Sequence, residues 1–220
     1  SLSRTHGNSL AEFATVAALM ATLAATAAPK LSEIAENTKA EKTSNEIGKI
    51  IKQAQTFYND RADGGDDGRG RFPGQDKFDE PVGGYTDLDA ALAVLGLDAL
   101  GASSSDTPDF VDFANTIGAQ WRSVFGVDNA TAPQAMGGNV VDDNNQDTDQ
   151  GCKTCDDNTG HTEWNALFAG NALKSPYQDG HYIYVVIPGS HAQGSCEVNP
   201  PILIVADAEN PRDYNAWIEP

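Results

Sequence analysis

From Leu10 to Ala28 the chain is apolar apart from one carboxylate, Glu12, and three threonines, Thr15, Thr22 and Thr26; the run closes on Pro29. Nineteen residues at about 1.5 Å rise make roughly 28 Å of helix, close to the ~30 Å hydrocarbon core of a bilayer, so the run is long enough to span one. Alanine dominates it at the expense of leucine and isoleucine, and small side chains let helix backbones approach closely. Phe13, Val16, Met20 and Leu23 fall at helical spacing and form one bulky stripe. The pattern predicts a helix that can sit in lipid but is built to pack against other helices. Two plainer readings are a secretory signal peptide and a single membrane anchor. Glu12 interrupts the apolar region and no small-residue cleavage site stands out from the alanines, which argues against the first. A charge placed early in an apolar span is costly, and a mere anchor has no need of it.

The continuation from Leu31 to Tyr58 is polar but keeps the helical period. Ile47, Ile50, Ile51, Ala54, Phe57 and Tyr58 repeat at three and four residues, with Lys49, Lys52, Gln53 and Gln55 on the other faces. This second half should lie on a sheet. Asp60 to Pro73 is rich in Gly and Asp and reads as a connector. Thr86 to Leu95 reads as a short helix capped by Thr86. Thr107-Pro108-Asp109 starts another, with Phe110, Phe113, Ile117, Trp121 and Val124 as its apolar face. Tyr182 to Ile187 and Ile202 to Val205 are compact β-branched runs that predict strands paired as an antiparallel hairpin. Helices first and strands late give an α+β class, with a long N-terminal helix over residues 1–58 and a globular head over 59–220.

Gly7, Glu12 at the fifth position after it, Phe13, the pair Ala24-Ala25 and Pro29 at the twenty-second position resemble the N-terminus of type IV pilins and pseudopilins. The resemblance covers roughly residues 7–58 and implies a variable globular head beyond. It implies that Gly7 precedes the prepilin peptidase cut and that Asn8 becomes the new, N-methylated first residue. Glu12 would neutralise the terminal amine of a neighbouring subunit, and a buried carboxylate does need a cation. Pro29 would mark the kink or local melting point of assembled filaments, since proline removes one backbone hydrogen bond. Asn8 departs from the apolar first residue usual in the family, and the Glu12-Phe13 pair also resembles the tight-adherence pilins. Ser1–Gly7 are present in the chain, so two processing schemes stand: cleavage at Gly7, or before Ser1 with Arg4 or His6 of a neighbour as the partner of Glu12.

Charge is divided unevenly. Of the formal −18, residues 1–77 contribute nothing, with ten Lys and Arg against ten acids; residues 78–220 hold four bases and twenty-two acids. An acidic head excludes nucleic-acid binding there and suits a solvated outer surface. Between Gly137 and Gly160, Asp143, Asn145, Asp147 and Asp149 alternate at two-residue spacing, beside Asp142, Asp156 and Asp157. Alternating oxygen ligands are how a loop wraps Ca²⁺, although the EF-hand pattern is not met; a solvated acidic loop is the other reading.

For an exported chain, Cys152, Cys155 and Cys196 favour a disulfide. A bridge from Cys152 or Cys155 to Cys196 would close roughly forty residues and contribute about 3–4 kcal/mol on the entropy model. A zinc site from Cys152, Cys155, His161 and Cys196 is the alternative. Asn129-Ala130-Thr131 is a glycosylation sequon. No phosphate loop, nucleotide fingerprint or nucleophile elbow appears, and no enzymatic activity is expected. The resemblance implies a subunit that polymerises with copies of itself into an extracellular filament, held in the inner membrane beforehand and handled there by assembly machinery. The alternatives are a pseudopilin of a type II secretion system and a membrane-tethered extracytoplasmic binding domain.

Overall fold

The computed structural model describes residues 9–64, 69–97, 120–125, 159–177, 182–191 and 198–220. Two compact units divide the chain, Ser1–Glu41 and Lys42–Pro220. Helix α1, Ser9–Gly64, belongs to both. It runs past Tyr58 and takes the first residues of the expected connector. Nothing breaks it earlier: Ala62 is a strong helix former, and Arg61 in the last turn complements the helix dipole while its guanidinium lies 4.9 Å over the Phe57 ring. Pro29 lies inside the helix without ending it.

The second unit is built on a four-stranded antiparallel sheet in the order β1-β2-β5-β6, comprising β1 Arg122–Ser123, β2 Tyr182–Ile187, β5 Ile202–Asp207 and β6 Asn215–Ile218. Central strands β2 and β5 pair over their full length, from Tyr182↔Asp207 to Ile187↔Ile202, as their β-branched composition predicts. The connection between them carries a two-stranded ladder of its own, β3 Ser190–His191 and β4 Val198–Asn199. An isolated bridge from Val82 to Val186 extends the β1 edge of β2.

Both faces of the sheet are covered. Ile183, Val185, Ile204 and Ala206 point to one core with Tyr85, Trp121 and α2 (Leu88–Val94). Tyr182, Tyr184, Val186, Leu203 and Val205 point to the other, where Ile47, Ile50 and Ala54 of α1 meet Trp164 of α3 (Thr159–Leu167). The second half of α1 therefore does lie on a sheet. Together these elements make the fold α+β.

Two expected elements are corrected. The cap of α2 is Asp87, whose carboxylate accepts from Ala90 N at 3.0 Å, rather than Thr86. Asp87 has the extended backbone of an N-cap, with φ −133° and ψ 132°. The helix expected from Pro108 does not reach Trp121: residues 107–119 lie outside the described residues, and Arg122–Ser123 are strand. Trp121 and Val124, three residues apart, then fall on opposite faces of the sheet and join different cores.

A tight seam fixes α3 to the turn between α1 and α2. Arg71 donates twice to Glu163, Nη1 to Oε2 at 3.1 Å and Nη2 to Oε1 at 2.7 Å, and Gly74 N donates to Oε2 at 2.8 Å. Gly74 and Gly160 approach so closely that a Cβ on Gly160 would stand 2.6 Å from the Tyr184 hydroxyl and 3.2 Å from Gly74 Cα. Gly160→Ala should therefore destabilise the protein by about 1–3 kcal/mol. The loss should be smaller in a Tyr184→Phe background; equal losses in the two backgrounds, measured by denaturant unfolding, would refute the clash.

Candidate assembly surface

In the first unit, α1 presents large apolar side chains to solvent. Phe13, Val16, Met20, Leu31 and Ile34 are between 49% and 74% exposed. Phe13 and Leu31 are eighteen residues apart, as are Val16 and Ile34; eighteen residues are about five turns at 3.6 residues each, so the pairs lie on one helix face. Exposed apolar side chains repeated on one helix face are the kind of surface that marks an interaction site. Beyond Pro29 the stripe is flanked by charges that pair along the helix, as Lys39 does with Glu36 at 3.0 Å.

Of the residues singled out in the sequence, Phe13 and Pro29 stand exposed on α1. Glu12 lies in the helix, but its side chain is outside the described residues, as are Gly7 and Asn8. So are Asp143, Asn145, Asp147, Asp149, Asn129, Cys152, Cys155 and Cys196, and with them the calcium, glycan and disulfide expectations. His161 is in α3, with its side chain outside the description. Among the described residues, no cluster of His, Cys, Asp or Glu is arranged to hold a metal. Among them, too, no helix is long and apolar enough to cross a membrane; the side chains of residues 22–28, central to that expectation, are not described.

The second unit holds its part of α1 through polar contacts that the sequence reading missed. Glu46, nearly buried, accepts from the Tyr182 hydroxyl at 2.6 Å and has Lys42 at 3.7 Å. Lys42 Nζ also donates to the Lys174 carbonyl at 3.4 Å. Burial and then the Glu46 carboxylate raise the Tyr182 phenol above its ordinary pKa, so it stays protonated and donates. Asp207, the cross-strand partner of Tyr182, is fully buried and accepts at Oδ1 from the backbone of Glu209 and Asn210, each at 3.0 Å. A signal existed: Thr43 and Glu46 sit on the same helix face as Ile47 and Ile50, and a carboxylate on an apolar face needs a partner.

No protein-family model matches this chain, and neither the curated proteins nor the solved structures contain a significant match to it.

Tyr182→Phe leaves the buried Glu46 carboxylate short of a donor and should cost about 1–3 kcal/mol. Adding Glu46→Leu should recover most of that loss, since an apolar pair replaces both members. Unfolding midpoints of the two variants check it; an undiminished loss in the double variant would show that the bond is not the cause.

Proposed function

We propose that the chain is the structural subunit of an extracellular, type IV pilus-like filament, in which copies pack through the first part of α1. The exposed apolar face carrying Phe13, Val16, Met20, Leu31 and Ile34 is the observation that supports this reading. Burying side chains of this size yields about 1.5–3 kcal/mol each, so repetition along a polymer favours helix packing strongly. The resemblance of Gly7, Glu12, Phe13 and Pro29 to the pilin N-terminus points to the same occupant, a second copy of this chain. Before assembly the subunit would be stored in the inner membrane, cut by prepilin peptidase, and then extracted as Glu12 gains a cation. The α+β head, acidic over residues 78–220, would face the surroundings.

Glu12→Ala should abolish polymer while leaving the amount of membrane-associated subunit unchanged, as read by electron microscopy of sheared material and by fractionation of the producing cells. Fibres assembled normally by Glu12→Ala would sink the assigned role of the carboxylate. Short polymers kept within the envelope would move the protein to a secretion pseudopilus, and subunit found only as a monomer would leave α1 as a tether.

A further inference from the structure

We propose that in the filament, whose existence this inference takes from the preceding proposal, Glu12 of one copy pairs with Lys30 of a parallel neighbour shifted by eighteen residues along the helix axis. Glu12, Phe13 and Val16 recur eighteen residues on as Lys30, Leu31 and Ile34, with the apolar character kept and the charge reversed. That interval is about five turns, so each position shares its azimuth with its counterpart, and α1 is continuous across Pro29. Phe13, Val16, Leu31 and Ile34 are all exposed. Met20 belongs to the same stripe, and its counterpart is Thr38, whose hydroxyl already donates to the Ile34 carbonyl at 2.8 Å. The first part of α1 is therefore complementary to a displaced copy of itself.

A shift of eighteen residues, roughly 27 Å at 1.5 Å rise, brings Phe13 level with Leu31 and Val16 level with Ile34. The charges select it. Residues 13–29 contain no base, so Lys30 is the first cation that α1 offers beyond Glu12. With no shift, Glu12 would meet the Glu12 of its neighbour, and like charges repel. A shift of eleven would align Met20 with Leu31, but it would also set Glu12 against Leu23, where nothing offsets the carboxylate's loss of water. A shift that reaches Lys39, the next base, would set Phe13 against Ala40 and lose the large apolar contacts. Lys30 is exposed and, among the described residues, forms no ion pair within the chain. Its long flexible stem lets the ammonium reach over the flank of the stripe. A neighbour in this register gains apolar burial and charge pairing together, and the pairing needs neither the terminal amine nor Arg4 or His6, so it is the same under both processing schemes.

The test is made on fibres sheared from the producing cells. Glu12→Lys and Lys30→Glu should each abolish fibres while membrane-associated subunit persists, and the two reversals in one chain should restore them. Val16→Cys with Ile34→Cys in one chain should give a ladder of covalent multimers when fibres are mildly oxidised, beyond anything given by either single variant; those single variants control for the three native cysteines. The ladder decides the matter where a charge-reversed subunit fails to accumulate. Fibres of Lys30→Glu at the wild-type level overturn the pairing, and so does a double reversal that accumulates without forming fibres. A ladder from Val16→Cys with Ala27→Cys, in place of the other pair, would set the shift at eleven residues and overturn it too. Wild-type fibres with neither rescue nor ladder overturn the pairing and leave the filament standing, whereas the absence of wild-type fibres overturns both.

Discussion

Tyr182–Ile187 are six consecutive buried residues, and a strand buried on both faces cannot leave either side of its sheet to water. Everything else in the second unit answers that demand. One face takes α2, Tyr85 and Trp121, and the other takes α1 and α3. A half-exposed antiparallel sheet would alternate apolar and polar positions, whereas β2 and β5 are close to continuous apolar runs. Helix and sheet are therefore obligatory partners, and the amphipathic period of residues 47–58 is the sequence counterpart of a two-sided sheet more than a hundred residues away.

Within that apolar contact, the polar seam supplies direction. Apolar packing alone tolerates small slides and rotations of a helix over a sheet. A Tyr182–Glu46 bond at 2.6 Å does not, because displacement strands a buried carboxylate, and that costs more than the bond contributes. The Arg71–Glu163 fork plays the same part for α3, with two parallel bonds and a backbone donor fixing both distance and angle.

Periodicity made the long helix and the central hairpin legible in the sequence, since Ile47, Ile50 and Ala54 repeat at helical spacing and Tyr182–Ile187 has the composition of a strand. Adjacent signals were harder to rank. Thr86 and Asp87 are both good caps, and only the backbone conformation chooses Asp87. Trp121 and Val124 fit a helix face by spacing, yet the same interval places strand residues on opposite sides. The polar contact between Tyr182 and Glu46 was half legible: a carboxylate on the apolar face of Ile47 and Ile50 signals that a partner is needed, but the partner stands 136 residues away and no local pattern names it. Of the predicted assembly residues, Phe13 and Pro29 are placed by the structure, while the Glu12 side chain lies beyond the described residues.

Glu46 and Tyr182 are separated by 136 residues, and that interval is also an interval of time. At synthesis rates of about 5–20 residues per second, Tyr182 follows Glu46 by on the order of ten seconds. Throughout it Ile47, Ile50, Ala54 and Phe57 exist without the strands that will cover them. The apolar face that later secures the helix to its sheet is, for every newborn chain, a sticky surface first. Until those strands arrive, nothing within the chain competes with foreign apolar surfaces for that face.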